Sequence, residues 1–159
     1  MEVNEKAGLR GWARWEHIRD GQVIDVREVS NVIVNTGKAE VAFLASAGVT
    51  GTHYTYQYIA IGLGSTTAVT TDTALGSEIT TSGGARATGT VTSTQTTVAN
   101  DTLSIAKTFT FVTSGTFAVT ESGVFNSTTG GPMLCRQVFA AINVVSGDTL
   151  AVTWKVAVA

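Results

Sequence analysis

The side chains that most often carry out chemistry are scarce in this sequence. There are two histidines, His17 and His53, and a single cysteine, Cys135. A serine hydrolase needs a histidine held beside its nucleophile, but no Gly-x-Ser-x-Gly segment is present, so both histidines are expected at the surface. Cys135 lies among apolar residues and is expected to be a small core side chain. One cysteine and two histidines are too few for a typical zinc site, so we predict no metal site.

Paired carboxylates, the groups that glycosidases use, are the other possible source of chemistry. Beyond the first 40 residues the chain has five: Asp72, Glu78, Asp101, Glu121 and Asp148. Asp101 and Asp148 precede Thr-Leu directly after a turn residue, a position typical of carboxylates that accept local backbone amides. Glu121 lies inside an apolar strand, where a charge needs a partner. The candidate partners are Arg86, Lys107 and Arg136. We therefore predict a protein that is not an enzyme, with no catalytic residue and no cofactor.

Charge is low and unevenly distributed along the chain. Charged residues make up 14% of the 159 positions, with ten Lys and Arg against twelve Asp and Glu, and residues 1–40 hold 13 of the 22. A nucleic-acid-binding protein needs a basic surface, so we expect no nucleic-acid partner. There is no run of 18 apolar residues, so we expect no membrane span. The N-terminus has no apolar signal core, which favours assembly in a cytoplasm.

The charge-rich first segment is predicted to form a hairpin. Residues 9–18 and 23–34 are strand-like, and Asp20-Gly21 between them is a strong signal for a two-residue turn. The apolar alternation is imperfect, which indicates a bulge. After the hairpin, Asn35 or Thr36 can cap a helix that Gly48 ends. We predict one short helix at about residues 37–47.

The rest of the chain has the pattern of an all-β domain. Strands are predicted at about residues 54–62, 85–97, 102–113, 117–126, 133–142 and 149–158, separated by turn residues. The last of them alternates most clearly, with Leu150, Val152 and Trp154 on one face. This spacing predicts an antiparallel β-sandwich or jelly-roll-like domain over residues 35–159. An N-terminal charged arm or hairpin over residues 1–34 precedes it.

Aromatic and basic residues of the arm are candidates for binding a partner, because tryptophan and arginine are enriched at the energetic centres of protein interfaces. They are Arg10, Trp12, Arg14, Trp15 and Arg19. Trp12 and Trp15 are three residues apart, so on a strand they would point to opposite faces. Packing of both against the sheet core is the alternative.

A row of tyrosines is the second candidate surface. Tyr54, Tyr56 and Tyr58 alternate along one predicted strand and so share a face. The row either packs across the sheet, lies between subunits, or stacks on a ligand such as a sugar or a base.

Several segments, taken in order, resemble a pattern that recurs in tailed-bacteriophage virion proteins. They are NTG at residues 35–37, YIAIGLGSTT at 58–67, DTALGSE at 72–78, ESGVFN at 121–126, MLCR at 133–136, and FAAINVVSGDTL at 139–150 with a closing VTW. The resemblance covers about residues 30–156. Such proteins are head-decoration, tail-fibre or other structural components. The resemblance therefore implies a non-enzymatic virion part, and it supplies no catalytic residues.

The resemblance and the low charge lead to one principal hypothesis. We expect a capsid decoration (cement) protein that binds the outer capsid lattice through its N-terminal arm and stabilises the head. Its partner would be the major capsid protein or another virion protein, with a homo-oligomeric β-domain, a trimer being favoured. Its location would be the virion, after assembly in the host cytoplasm. Two alternatives stay open: a tail-fibre or receptor-binding module that contacts host surface glycans, and a self-assembling tube or fibre subunit.

Overall fold

An antiparallel hairpin opens the part of the chain that the structure, a computed structural model, describes: residues 8–44 and 55–158. Its strands are β1 (Leu9–Arg19) and β2 (Gln22–Ser30). Asp20 and Gly21 both have positive φ, 51° and 75°, as a type I′ turn requires, so the predicted hairpin is confirmed. The register shifts between His17 and Ile18, which is the bulge that the imperfect alternation indicated.

One short helix, α1 (Asn35–Leu44), follows the hairpin. It begins two residues before the predicted start, and the predicted end at residues 45–47 lies outside the described residues. The Thr36 hydroxyl donates to the Met133 carbonyl at 2.7 Å, which fixes the helix start against a strand. A side chain at Gly37 would overlap the Leu134 carbonyl, so only glycine allows this close approach. No helix in the described part of the chain is long and apolar enough to cross a membrane.

The remaining strands complete two five-stranded antiparallel sheets. They are β3 (Val32–Ile33), β4 (Tyr58–Gly62), β5 (Ala87–Thr88), β6 (Thr90–Thr94), β7 (Thr102–Thr110), β8 (Phe117–Phe125), β9 (Met133–Val144) and β10 (Thr149–Val158). The first sheet has the order β2-β1-β10-β7-β6, and the second has the order β3-β9-β8-β4-β5. The predicted all-β sandwich with one short helix is therefore confirmed.

The chain passes from one sheet to the other at both sides of the sandwich. β2 continues through Asn31 into β3, and β5 continues through Gly89 into β6. A Cβ at Gly89 would lie 2.8 Å from the Ile105 side chain, so glycine permits the close crossing there. On the β2 side, the Arg27 guanidinium also donates to two carbonyls of β9, at 2.6 and 3.2 Å. The two sheets thus share their edges over part of their length.

Side chains from both ends of the sequence meet in the core. Trp15 has no exposed surface, and its ring centroid lies 4.1 Å from that of Phe139 and 6.1 Å from that of Trp154. β1 pairs with β10 over the ten residue pairs from Leu9–Val158 to Ile18–Thr149. The predicted division at residue 34 therefore needs correction, because β1 and β2 are two of the five strands of the first sheet. Without them, the remaining sandwich would lose a central strand and a core tryptophan.

Candidate partner-binding face

The side of the first sheet that is turned away from the second sheet is the candidate binding surface, and we call it the outer face. Trp15 points into the core, so alternation along β1 directs Arg10, Trp12 and Arg14 to the outer face. The structure thus brings together three of the five arm residues predicted to bind a partner. They are presented by a paired strand in the middle of a sheet, which is a rigid support.

Trp12 is the large aromatic side chain of the outer face. It is partly exposed, and the Lys155 ammonium on β10 lies 5.9 Å from the centre of its ring, within cation–π range. The exposed part of the indole is apolar surface, and a partner that covers it would gain about 25 cal/mol per Å². Partial exposure on a rigid strand beside a cation gives Trp12 the properties of an interface anchor.

Charged side chains of both signs surround Trp12. Arg14 Nε donates to Glu16 Oε1 at 2.8 Å, and Arg14 Nη1 lies 3.7 Å from Glu28 Oε2 on β2. Exposed pairs of this kind contribute about 0–1 kcal/mol to stability. Arg10, Arg14 and Lys155 against Glu16 and Glu28 leave an excess of one positive charge among groups of both signs. The surface around Trp12 therefore matches a partner with mixed charge better than it matches a polyanion.

Short side chains form the rest of the outer face. Across β10, β7 and β6 they are Ala151, Thr153, Ala106, Thr108, Thr110, Thr90 and Thr92. Threonine and alanine lose little side-chain entropy when a partner covers them. Such a surface suits close packing against another protein.

A small apolar cluster extends the outer face toward the hairpin turn. Val23 and Val26 of β2 are 53% and 43% exposed, and Ile18 of β1, which is paired with Val23, is partly exposed. Single exposed valines are ordinary, but adjacent ones form a patch that a partner can cover.

Two of the five arm residues have other roles. Trp15 is fully buried, so the prediction that it contacts a partner is corrected, and the alternative of core packing applies to it. Arg19 donates from Nε and Nη2 to the two carboxylate oxygens of Asp148, at 2.8 and 2.7 Å. Its first role is therefore internal, although 41% of its side chain stays exposed.

Asp148 joins the end of β1 to the turn between β9 and β10. His17 Nε2 lies 2.7 Å from Asp148 Oδ2, and the Val145 amide donates to the same oxygen at 2.9 Å. Hydrogen bonds from Arg19 lower the pKa of Asp148 even though burial opposes this. His17 is 4% exposed, so the expectation of a surface histidine is wrong. The β1–β10 register, which local sequence does not show, carries His17 to a carboxylate 131 residues away.

Glu121 is a fully buried carboxylate with five hydrogen bonds. The amides of Gly64, Gly76 and Ser77 donate to it at 2.9, 2.9 and 2.7 Å. Arg136 donates from Nη2 at 2.8 Å and from Nε at 3.1 Å. Burial alone would raise the pKa of Glu121, but the hydrogen bonds outweigh it and lower the pKa. Of the three cations predicted as candidate partners of Glu121, Arg136 is therefore the one that pairs with it.

The buried Glu121–Arg136 pair also holds the long segment that precedes β5. Arg136 Nη1 lies 2.7 Å from Asp72 Oδ2, and Nη2 donates to the Thr66 carbonyl at 3.1 Å. Four segments of the chain, at residues 58–67, 72–78, 121–126 and 133–136, therefore meet at one cluster. Their contacts here attach the Thr- and Gly-rich segment to β8 and β9, which is a structural role.

The tyrosine row does not form a single exposed surface in the described residues. Tyr54 lies outside them. Tyr56 is buried in the core between the sheets, whereas Tyr58 packs against a second cluster with Phe125 and Met133. Tyr56 and Tyr58 therefore do not offer one stacking platform for a sugar or a base.

Asp101 behaves as its place in a turn predicted. Its carboxylate accepts the amides of Thr96, Thr97 and Val98 at 2.6–2.8 Å. Burial opposes the effect of these bonds, but they lower its pKa. Within residues 8–44 and 55–158, no group of three or more His, Cys, Asp or Glu side chains could hold a metal ion.

Two comparisons with known proteins identify no relative of this chain. Neither a scan against protein-family models nor a search of curated proteins finds a match to this chain.

Proposed function

We propose that this chain is a non-enzymatic structural component of a virus particle, a capsid decoration protein that binds the outer capsid lattice. The outer face of the first sheet makes the contact, and the partner is the major capsid protein or another virion protein. The protein assembles in the host cytoplasm and resides in the virion. The observation that carries the proposal is Trp12, held on an interior strand of the sheet among charges of both signs and short threonine and alanine side chains.

The outer face supports the binding of a protein surface, and the ordered sequence segments support the kind of partner. A tryptophan anchor with arginine beside it is typical of interface centres. The resemblance of residues 30–156 to tailed-bacteriophage virion proteins supplies the virion context. The contact replaces the arm of the initial hypothesis, because β1 belongs to the sheet and leaves only its outward side chains for a partner.

Stabilisation of the head would follow from mass action. A protein that binds only the assembled lattice stabilises it by RT ln(1 + [L]/Kd), which reaches about 2.7 kcal/mol at a hundredfold excess over Kd. A homo-oligomer would join more than one outer face and raise the avidity of binding.

The proposal can be tested on virus particles purified from a culture that produces this chain. Gradient-purified heads should contain the chain. Mild dissociation should remove the chain from the heads. Purified wild-type protein, added back, should then restore the occupancy of the chain on the heads, measured by gel densitometry. Trp12→Ala should bind the stripped heads at least ~30-fold more weakly, which corresponds to a hot-spot loss of about 2 kcal/mol.

Two variants serve as controls for this binding assay. Val112→Ala alters a side chain that is 71% exposed and lies in the loop after β7, outside the strands of the first sheet, and it should bind like the wild type. Trp12→Phe retains an aromatic ring and should bind between the wild type and Trp12→Ala. Absence of the chain from purified heads, its presence on tails alone, or equal binding by Trp12→Ala and Val112→Ala would refute the proposal.

A further inference from the structure

The two edges of the first sheet differ in how they are protected against pairing with another strand. β2 carries Asp25, Arg27 and Glu28, and Arg27 also ties this edge to β9 through two carbonyls. Charged side chains and covered edges are the devices by which natural sheets prevent edge-to-edge pairing. The β2 edge is therefore protected against pairing with a strand of another chain.

Within residues 8–44 and 55–158, the opposite edge, β6, has neither device. Its sequence is Thr-Val-Thr-Ser-Thr over Thr90–Thr94, without a charge or a proline, and Val91 is 45% exposed. β7 is the one neighbour of β6 in the sheets that the structure describes. After the crossing at Gly89, one side of β6 thus presents main-chain groups that another strand can pair with.

An apolar cleft of about 660 Å³ lies beside β6. Its apolar lining includes Leu9, Val41, Leu103, Leu134 and Val156. Val91 and Ser93 of β6 also line it. A strand added at the β6 edge would therefore bring its own inward side chains over an apolar surface, as in strand-addition interfaces.

We infer that the β6 edge is an interface between two copies of this chain, in which β6 pairs with the β6 of a second copy in antiparallel orientation. The sequence of the strand is almost the same read in either direction. Pairing centred on Thr92 places Thr90 opposite Thr94 and Val91 opposite Ser93, and it keeps all five residues of both strands in the ladder. Each cross-strand pair is then uncharged, and Thr–Thr pairs are favourable in antiparallel sheets.

This self-complementarity is what identifies the partner as a second copy. A two-fold contact uses the same patch on both subunits. Each residue of the patch must therefore be compatible with the residue that the two-fold axis places opposite it. β6 meets this condition, whereas on β2 the charges of Asp25 and Glu28 would face like charges in several registers. The paired dimer would continue the first sheet, and with it the outer face, across ten strands.

Charge-swapped variants at Thr92 test the inference by sedimentation equilibrium at low salt. The wild type should rise with concentration from one chain mass, 16.5 kDa, to two. Thr92→Lys and Thr92→Glu alone should each weaken the dimer at least ~10-fold, because like charges face each other at the two-fold axis. An equimolar mixture of the two variants should restore the two-chain mass.

Thr108 supplies the matched control, since it is also an exposed threonine, on β7 beside β6. Thr108→Lys should dimerise like the wild type, and circular dichroism should show that all variants are folded. The inference is overturned if the wild type stays at the mass of one chain at all concentrations. It is also overturned if the wild type reaches the mass of three chains and Thr92→Lys does not change this, or if the mixture of the two variants fails to restore the dimer. Cross-linking of Val91→Cys to residues 45–54 of the same chain would also overturn it. None of these outcomes depends on binding to a capsid.

Discussion

Substitution of Glu121 by glutamine tests whether the buried ion pair holds the second sheet and the segment before β5 together. Glutamine keeps the shape of the side chain but replaces one carboxylate oxygen by an NH₂ group. Glu121 Oε2 accepts hydrogen bonds from the Gly76 amide and from two nitrogens of Arg136. If the NH₂ group of the variant takes the place of Oε2, the Gly76 amide and the two Arg136 nitrogens would therefore point at another donor and lose their acceptor.

The expected loss of stability is large because the site is closed to water. Turning the amide the other way does not help, since Oε1 accepts the amides of Gly64 and Ser77. Removal of one partner from a buried ion pair costs about 3–5 kcal/mol. We expect Glu121→Gln to lower the free energy of unfolding by about this amount at pH 7, measured by urea denaturation.

The pH dependence of this loss follows from the lowered pKa of Glu121. A carboxylate whose pKa is lower in the folded protein stabilises it above the unfolded value, near 4.5, and loses this effect as the pH falls toward the folded value. The stability difference between the wild type and Glu121→Gln should therefore be full at pH 7 and shrink below about pH 4.5. Other carboxylates titrate in both proteins and cancel in the difference.

The same substitution at an exposed glutamate is the control. Glu28 is 56% exposed and lies 3.7 Å from Arg14, so Glu28→Gln should change the stability by about 0.5 kcal/mol or less. A loss under about 1 kcal/mol for Glu121→Gln, or a difference that is constant from pH 7 to pH 3, would refute the role given to this pair.

Two further predictions concern other buried groups. Asp148→Asn should destabilise the protein by about 1–3 kcal/mol in urea at pH 7, because Arg19 and His17 lose a charged acceptor, and the loss should fade below about pH 3.8; a neutral effect would contradict it. Cys135 is fully buried, and burial raises the pKa of its thiol, so a maleimide should label it at least ~1000-fold more slowly in buffer than in concentrated urea. Equal labelling rates would mean that the strand β9 is open.

Local features of the chain were predictable from the sequence. The Asp20-Gly21 turn, the helix and the main strands depend on nearby residues, and the structure has them close to the predicted positions. The clear alternation of the last strand also holds, with Leu150 and Trp154 buried. Asp101 accepts the local amides that its turn position indicated.

Features that depend on strand register were not predictable in the same way. The alternation of β1 put Trp12 and Trp15 on opposite faces, but only the pairing of β1 with β10 decides which of them meets the core. The density of charge in the first 40 residues suggested a separate arm. In the sheet, Arg14 and Glu16 occupy outward positions, whereas His17 and Arg19 of the same strand both contact Asp148.

The buried clusters show the same limit. The sequence offered three cations for Glu121, and the register that places Arg136 opposite Gly123 selects one of them. The contact between His17 and Asp148 joins the strand β1 to a turn 131 residues further along the chain, and no local pattern indicates it. Long-range pairing of this kind sets the position of each candidate binding side chain on the outer face.

Cryo-electron microscopy of an intact particle that carries this chain tests the central claim most directly. The account predicts sandwich-shaped density on the capsid surface with the first sheet turned toward the shell and the Trp12 side chain in contact with a capsid subunit. Density that turns Trp12 and Arg14 to the solvent, or the absence of such density from the head, would contradict it.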